Sequence, residues 1–152
     1  MRSPRTSHRG IRTRPFAQQR CGAAALEMAL ILPLLVTIVL GSIDFGRFAY
    51  EYIGVTNAAR AGAAVGSFNS VTTATLPAWE EAIRAAVRDD MMEQTGYEEE
   101  RLTIPSPTII DDADGLRRVR VEVHYRFNTI VAWPFLPNEL MLTRAVEMRI
   151  IR

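Results

Sequence analysis

The chemistry open to this chain is narrow, because the side chains that most often carry it are scarce. Of its 152 residues two are histidine (His8 and His124), one is cysteine (Cys21) and none is lysine. Lysine-based chemistry such as a Schiff base is excluded, and a lone cysteine can neither close an intramolecular disulfide nor help to build a cysteine zinc cluster. A zinc site or a Ser-His-Asp triad would need convergent groups that are missing. The sequence therefore predicts no catalytic, cofactor-binding or metal-binding residues and no small-molecule substrate. His124 stands two residues from Glu122 on one face of a predicted strand and reads as a solvated pair. The acidic run Glu98 to Glu100 lacks complementary ligands nearby and reads as a solvated loop.

Glu27 stands apart from these. It is the only charge in AAALEMALILPLLVTIVLGSI, Ala23 to Ile43. An acid at the centre of a membrane helix costs about 2.5–3.5 kcal/mol and is a functional hypothesis by default. Glu27 lies about 6 Å along a helix from Ala23, so its carboxylate could also reach the interface. Pairing inside the membrane needs a positive charge, and the segment holds none. A cut between Gly22 and Ala23 would create one, an α-amine one helical turn away on the same molecule or on a neighbour in register.

The element that positions Glu27 spans about 30 Å as a helix, the thickness of a bilayer's hydrocarbon core. A buried helix in a soluble protein would need more apolar surface around it than so short a chain offers. Orientation follows from charge. Residues 1–22 carry six arginines and no acid (+6), whereas residues 23–152 carry twelve arginines against seventeen acids (−5). Arginine collects on short cytoplasmic flanks, so 1–22 reads as a cytoplasmic leader, 23–43 as a transmembrane helix, and the remainder as periplasmic. A cleaved secretory signal fits poorly, since the nearest A-x-A pattern, Ala61-Gly62-Ala63, lies far beyond the apolar stretch. A mitochondrial transit peptide shares the leader's composition, but the abrupt apolar start at Ala23 favours a membrane protein. The acidic balance outside also argues against a nucleic-acid partner, despite Arg117, Arg118 and Arg120.

Beyond Ile43 the helical period continues through Phe45, Phe48, Tyr52, Val55, Ala59, Gly62 and Gly66, which predicts a helix extension over 44–66. Its many small residues allow a close neighbour, either this protein's own sheet or another helix; both readings stay open. Residues 67–152 read as an α+β domain. A loop over 67–76 leads to a second helix from Pro77 to about Gly96, with an apolar stripe of Trp79, Ile83 and Val87 supported by Ala82 and Ala86. Glu80, Glu81, Arg84 and Arg88 are expected to face water. Leu102 to Ile110 reads as an edge strand interrupted by Pro105 and Pro107. The turn Asp111 to Gly115 joins it to a strand over 118–127, whose odd positions are apolar and even positions polar. Leu140, Leu142, Val146, Met148 and Ile150 supply the third strand of a roughly three-stranded antiparallel sheet, with Arg144 off the pattern.

Gly22 followed by Ala23-Ala24-Ala25-Leu26-Glu27, between a basic leader and an apolar helix, resembles the processing site of type IV prepilins. From Arg20 to Gly66 the chain is similar to the N-terminal signature of the TadE-like pseudopilins, minor components of the tight-adherence (Flp, type IVb) pilus machinery. Gly22, Glu27, Pro33, the exit Asp44-Phe45-Gly46-Arg47 and Thr56-Asn57-Ala58-Ala59-Arg60 carry the resemblance. Met28 replaces the aromatic usual in type IVb pilins, and Asp44 a glutamate usual in TadE-like chains.

The resemblance implies cleavage between Gly22 and Ala23 by a membrane-embedded prepilin peptidase, with Glu27 serving processing and assembly and Pro33 bending the helix. It also implies the inner membrane, other pilins or pseudopilins, and the pilus assembly machinery as partners. The alternative is a membrane-anchored periplasmic binding or signalling subunit outside any pilus.

Overall fold

The computed structural model describes residues 17–69, 71–111, 115–134 and 136–151. The expectations for the leader up to Phe16, and for the tip of the turn at residues 112–114, lie outside them. The chain forms two compact units, Met1–Leu40 and Gly41–Arg152. Helix α1 (Ala17–Phe68) contributes to both and contains Pro33. It begins at Ala17 rather than Ala23, since the alanine, glutamines and arginine between them are good helix formers and do not stop a helix.

In the first unit every large apolar side chain from Leu26 to Val39 is exposed, Leu30 at 73%. Among the described residues α1 is the one helix long and apolar enough to cross a membrane, and the apolar window that qualifies it is 0% buried. A helix that is apolar all round and covered by nothing among the described residues is suited to lipid. It fits a single-pass membrane anchor. The helix runs on through Pro33, whose carbonyl accepts a hydrogen bond from the Thr37 hydroxyl (2.8 Å).

The second unit is α+β. Helix α2 (Leu76–Met92) has Pro77 in its first turn, where a missing N–H costs nothing. Its buried stripe is Trp79, Ile83, Val87 and Met91. Ala82 is exposed and Ala86 half-buried, so Met91 takes the place expected of them. Glu81 is exposed as expected, while Glu80 and Arg84 are half-buried in an ion pair with each other (3.0 Å). The helix ends at Met92 rather than near Gly96, because the chain turns at a left-handed Gly96 (φ 83°), a conformation that favours glycine. The acidic run leads into a single 3₁₀ turn, Glu99–Arg101, and is exposed.

The sheet has four strands where about three were expected: β1 (Leu102–Thr103), β2 (Thr108–Asp111), β3 (Arg117–Asn128) and β4 (Glu139–Arg149). The stretch read as one edge strand is two, because Pro105 and Pro107 cannot donate to a ladder. Both pieces pair antiparallel with β3, Leu102 opposite Tyr125 and Thr108 opposite Arg120. On its other side β3 pairs with β4 along the full length of β4, from Arg118 opposite Arg149 to Asn128 opposite Glu139. The alternation read from the sequence holds: Val119, Val121, Val123, Tyr125 and Phe127 are buried. They pack with the stripe of α2 and with Val55, Ala58, Ala59 and Ala63 of α1 as one core.

Candidate functional site

Where α1 enters the second unit, Asp44 is buried at 6% exposure, an expensive position for an acid unless its oxygens are satisfied. The connection between β3 and β4 satisfies them. Asp44 Oδ1 accepts from the Ile130 N–H at 2.9 Å, and Oδ2 from the Trp133 indole Nε1–H at 3.0 Å and the Val131 N–H at 3.4 Å. Arg47 Nη1 lies 3.6 Å from Oδ1. Burial pushes the carboxyl upward, but the hydrogen bonds from Ile130, Trp133 and Val131, with the charge of Arg47, outweigh it and hold its pKa below the ordinary 3.8.

Arg47 extends the clamp. Its Nη1–H donates to the Asn128 carbonyl (3.3 Å), and its guanidinium lies 5.5 Å from the centre of the Phe127 ring. Phe48 meets the same ring edge-on, with centroids 5.6 Å apart. The four-residue exit is therefore divided by helical geometry. Asp44 and Arg47, three apart, share the face that grips the end of β3 and the chain after it. Phe45 is 71% exposed on the other side, and a Cβ placed on Gly46 would meet nothing within 4 Å.

Asp44 and Arg47, the helix side of this clamp, lie within a stretch that matches a known family. Residues 22–64 match the TadE-like protein family. No curated protein and no solved structure matches the chain. The TadE-like match suggests involvement in the Tad pilus system and association with its machinery in a membrane.

Further along α1 the small residues meet this protein's own core. A Cβ on Gly62 would lie 2.6 Å from Val87 Cγ2, and one on Gly66 2.9 Å from Ile83 Cδ1. The Trp79 indole Nε1–H donates to the Gly66 carbonyl at 3.1 Å. Of the two partners left open for these small residues, α2 and β3 of the same chain occupy Gly62 and Gly66. Thr56 accepts from Arg144 Nε–H at 3.2 Å, and the Arg144 guanidinium lies 4.8 Å from the centre of the Tyr52 ring. Arg144 thus shares the packed face of β4 and keeps to its alternation. It looked off-pattern because its partners lie on α1, far away in sequence.

Gly22, Ala23 and Glu27 are exposed on α1 in the first unit. Glu51, one turn beyond Arg47, has Oε1 3.7 Å from Arg47 Nη2. Burial pushes its carboxyl above the ordinary 4.5; Arg47 and Arg101 offset this in part, and Glu98 adds to it. His124 Nε2 lies 3.0 Å from Glu122 Oε1 on the outer face of the sheet, both partly exposed. Sequence reasoning missed Ile130, Trp133, Asn128 and Arg144 as partners of the helix. A tryptophan in a short proline-bounded connection was a signal available for Trp133, since an indole N–H in a folded chain usually finds an acceptor.

Proposed function

We propose that the chain is a minor pseudopilin or assembly component of a tight-adherence (Flp, type IVb) pilus. It is held in the bacterial inner membrane by residues 23–43, with the N-terminus cytoplasmic and the domain periplasmic. A prepilin peptidase removes residues 1–22 by cutting between Gly22 and Ala23. The matured helix then packs among those of other pilins or pseudopilins, with the new α-amine as the counter-charge for Glu27 and a bend at Pro33. Its work is packing and charge pairing rather than catalysis.

The observation that carries this reading is the TadE-like match over residues 22–64 on a helix whose apolar side chains are exposed among the described residues. The Asp44 and Arg47 clamp supports it, because a force applied along the helix would pass to the sheet through partly buried hydrogen bonds.

The test is mass analysis of the membrane-extracted protein from cells that hold the peptidase. Loss of residues 1–22 is expected, and an intact N-terminus would remove processing from the reading. Glu27→Gln should leave the protein inserted and folded while cutting piliation at least tenfold. Unchanged piliation would reduce Glu27 to an interfacial acid.

A further inference from the structure

Within the second unit an open pocket of about 570 Å³ lies between α1 and the turn that follows α2. Ile43, Arg47, Tyr50 and Glu51 wall it on one side, Thr95 and Gly96 on the other. Its size is that of a ligand site. Along α1 the wall runs from an exposed isoleucine to a cation and then, one turn on, to an anion, with the exposed Tyr50 beside them.

Glu51 is the group that lacks a partner. Its Oε2 is buried with no hydrogen-bond partner among the described residues, and its Oε1 comes no nearer to Arg47 Nη2 than 3.7 Å, beyond hydrogen-bond distance. A second buried orphan, the Tyr97 hydroxyl oxygen, belongs to the wall of a chamber of about 10 Å³ that shares Glu51, Thr95 and Gly96 with the pocket. Such a chamber holds about one group the size of a water molecule. Buried polar atoms are normally satisfied, so these two oxygens call for a compact donor. Burial raises the Glu51 carboxyl more than Arg47 and Arg101 lower it, the mark of a carboxylate short of positive charge. A primary ammonium carries three N–H donors on one compact atom, whereas a guanidinium is a flat fork and a trimethylammonium has no N–H. A second copy of this chain has no such side chain to offer, because the sequence holds no lysine.

The position of the pocket selects the source of the ammonium. Ile43 ends the apolar stretch that begins at Ala23, which sets it at the edge of the hydrocarbon. On a helix Arg47 lies about 6 Å beyond Ile43, and Glu51 about 12 Å beyond it. The headgroup layer on each side of a bilayer is about 5–8 Å thick, so Arg47 is level with the headgroups and Glu51 just above them. In a phosphoethanolamine lipid the acyl chains lead to a phosphate and the phosphate to a primary ammonium, the same order as Ile43, Arg47 and Glu51. Arg47 is already held by Asp44, the Asn128 carbonyl and the Phe127 ring, so its guanidinium is in place before a phosphate arrives. Tyr50 suits the interfacial level at which aromatic side chains collect.

We propose that this pocket binds the headgroup of a phosphoethanolamine lipid, with Arg47 on the phosphate and Glu51 on the ammonium. The proposal rests on residues 23–43 spanning a membrane, and does not need the pilus.

The test uses the full-length chain in detergent, stripped of lipid and titrated with phosphatidylethanolamine, phosphatidylcholine or phosphatidylglycerol, with bound lipid counted by native mass spectrometry. Wild type should retain phosphatidylethanolamine at least tenfold over each of the others. Glu51→Gln should melt no lower than wild type at pH 7, yet lose that preference. Gly46 also lines the pocket, and a Cβ there meets nothing within 4 Å, so Gly46→Leu should fill the pocket without displacing a neighbour and lose the preference too. Ile53→Ala, at an exposed position off the pocket, should keep it.

A folded Glu51→Gln or Gly46→Leu protein that keeps the preference overturns the site and leaves the membrane reading standing, as does a wild type that holds phosphatidylcholine equally well. A preference for phosphatidylglycerol overturns the role given to the ammonium. Glycerophosphoethanolamine, which has no acyl chains, should compete poorly, and equal binding overturns the lipid as the source. A photo-crosslinking residue at Tyr50 should capture phosphatidylethanolamine in native membranes, and capture of a protein in its place overturns the choice of occupant. Release of the chain from membranes by an alkaline wash overturns the membrane reading and the proposal with it.

Discussion

Removing the Asp44 carboxylate isolates what ties the helix to the sheet. Asp44→Ala deletes an acceptor of three hydrogen bonds, from Ile130, Trp133 and Val131, and the ion pair with Arg47. A hydrogen bond to a charged group contributes about 1.5–3 kcal/mol, and a buried donor left unpaired costs about 1–3 kcal/mol. The sum must be discounted, because Ile130 is 63% exposed and water can reach the loop once the carboxylate is gone. A loss of about 2–4 kcal/mol remains, enough to lower the melting temperature by about 10 °C in a unit of this size. Asp44→Asn keeps the shape but points an NH₂ group at one of the donors, and should cost about 1–2 kcal/mol.

The acid limb supplies a second readout. The folded-state pKa of Asp44 lies below the ordinary 3.8, so its stabilisation is fully present above that value and is lost as pH falls through the folded-state value. Urea unfolding of the detergent-solubilised chain between pH 7 and pH 2 measures both effects, and Asp44→Asn should flatten the dependence below about pH 4. An Asp44→Ala protein within 0.5 kcal/mol of wild type at pH 7 would refute the clamp.

Three further outcomes follow from the packing and the charges. Gly62→Ala should destabilise by about 1–2 kcal/mol, since the new methyl meets the stiff Val87 at 2.6 Å and overpacking exceeds the gain in helix propensity. Gly46→Ala meets open space and should stabilise by about 0.5–1 kcal/mol, and the same unfolding assay checks both variants. Glu51→Gln should raise stability near neutral pH. Its folded-state pKa is raised, so the unfolded chain binds fewer protons and stability falls as pH rises from about 4.5 through the folded-state value. The gain should vanish below pH 4.5, and a glutamine variant less stable than wild type at pH 7 would show that the Arg47 pair outweighs the burial.

Local pattern made much of the fold legible. The alternation from Val119 to Phe127 and the spacing of Trp79, Ile83 and Val87 each mark one buried face, since strand and helix periods depend only on neighbouring residues. Pro105 and Pro107 were visible as interruptions, and the number of strands changed because a proline subtracts a donor from whichever ladder it enters. Asp44 and Arg47 could be picked out, but not what they hold. Their partners lie more than eighty residues away, and nothing in the spacing of an Asp-Phe-Gly-Arg exit names Ile130 or Trp133. Arg144 misled for the same reason.

The sequence by itself determined an apolar helix of membrane length with a lone acid near its start, a basic N-terminal stretch and an α+β domain. Each of these is set by composition and short-range period. Tertiary structure alone decided that Gly62 and Gly66 serve this chain's own core, that Asp44 is a buried acceptor rather than a surface charge, and that β4 pairs with β3 along its full length. Those outcomes depend on which distant segments meet, and burial, hydrogen-bond satisfaction and strand pairing exist only once they have met.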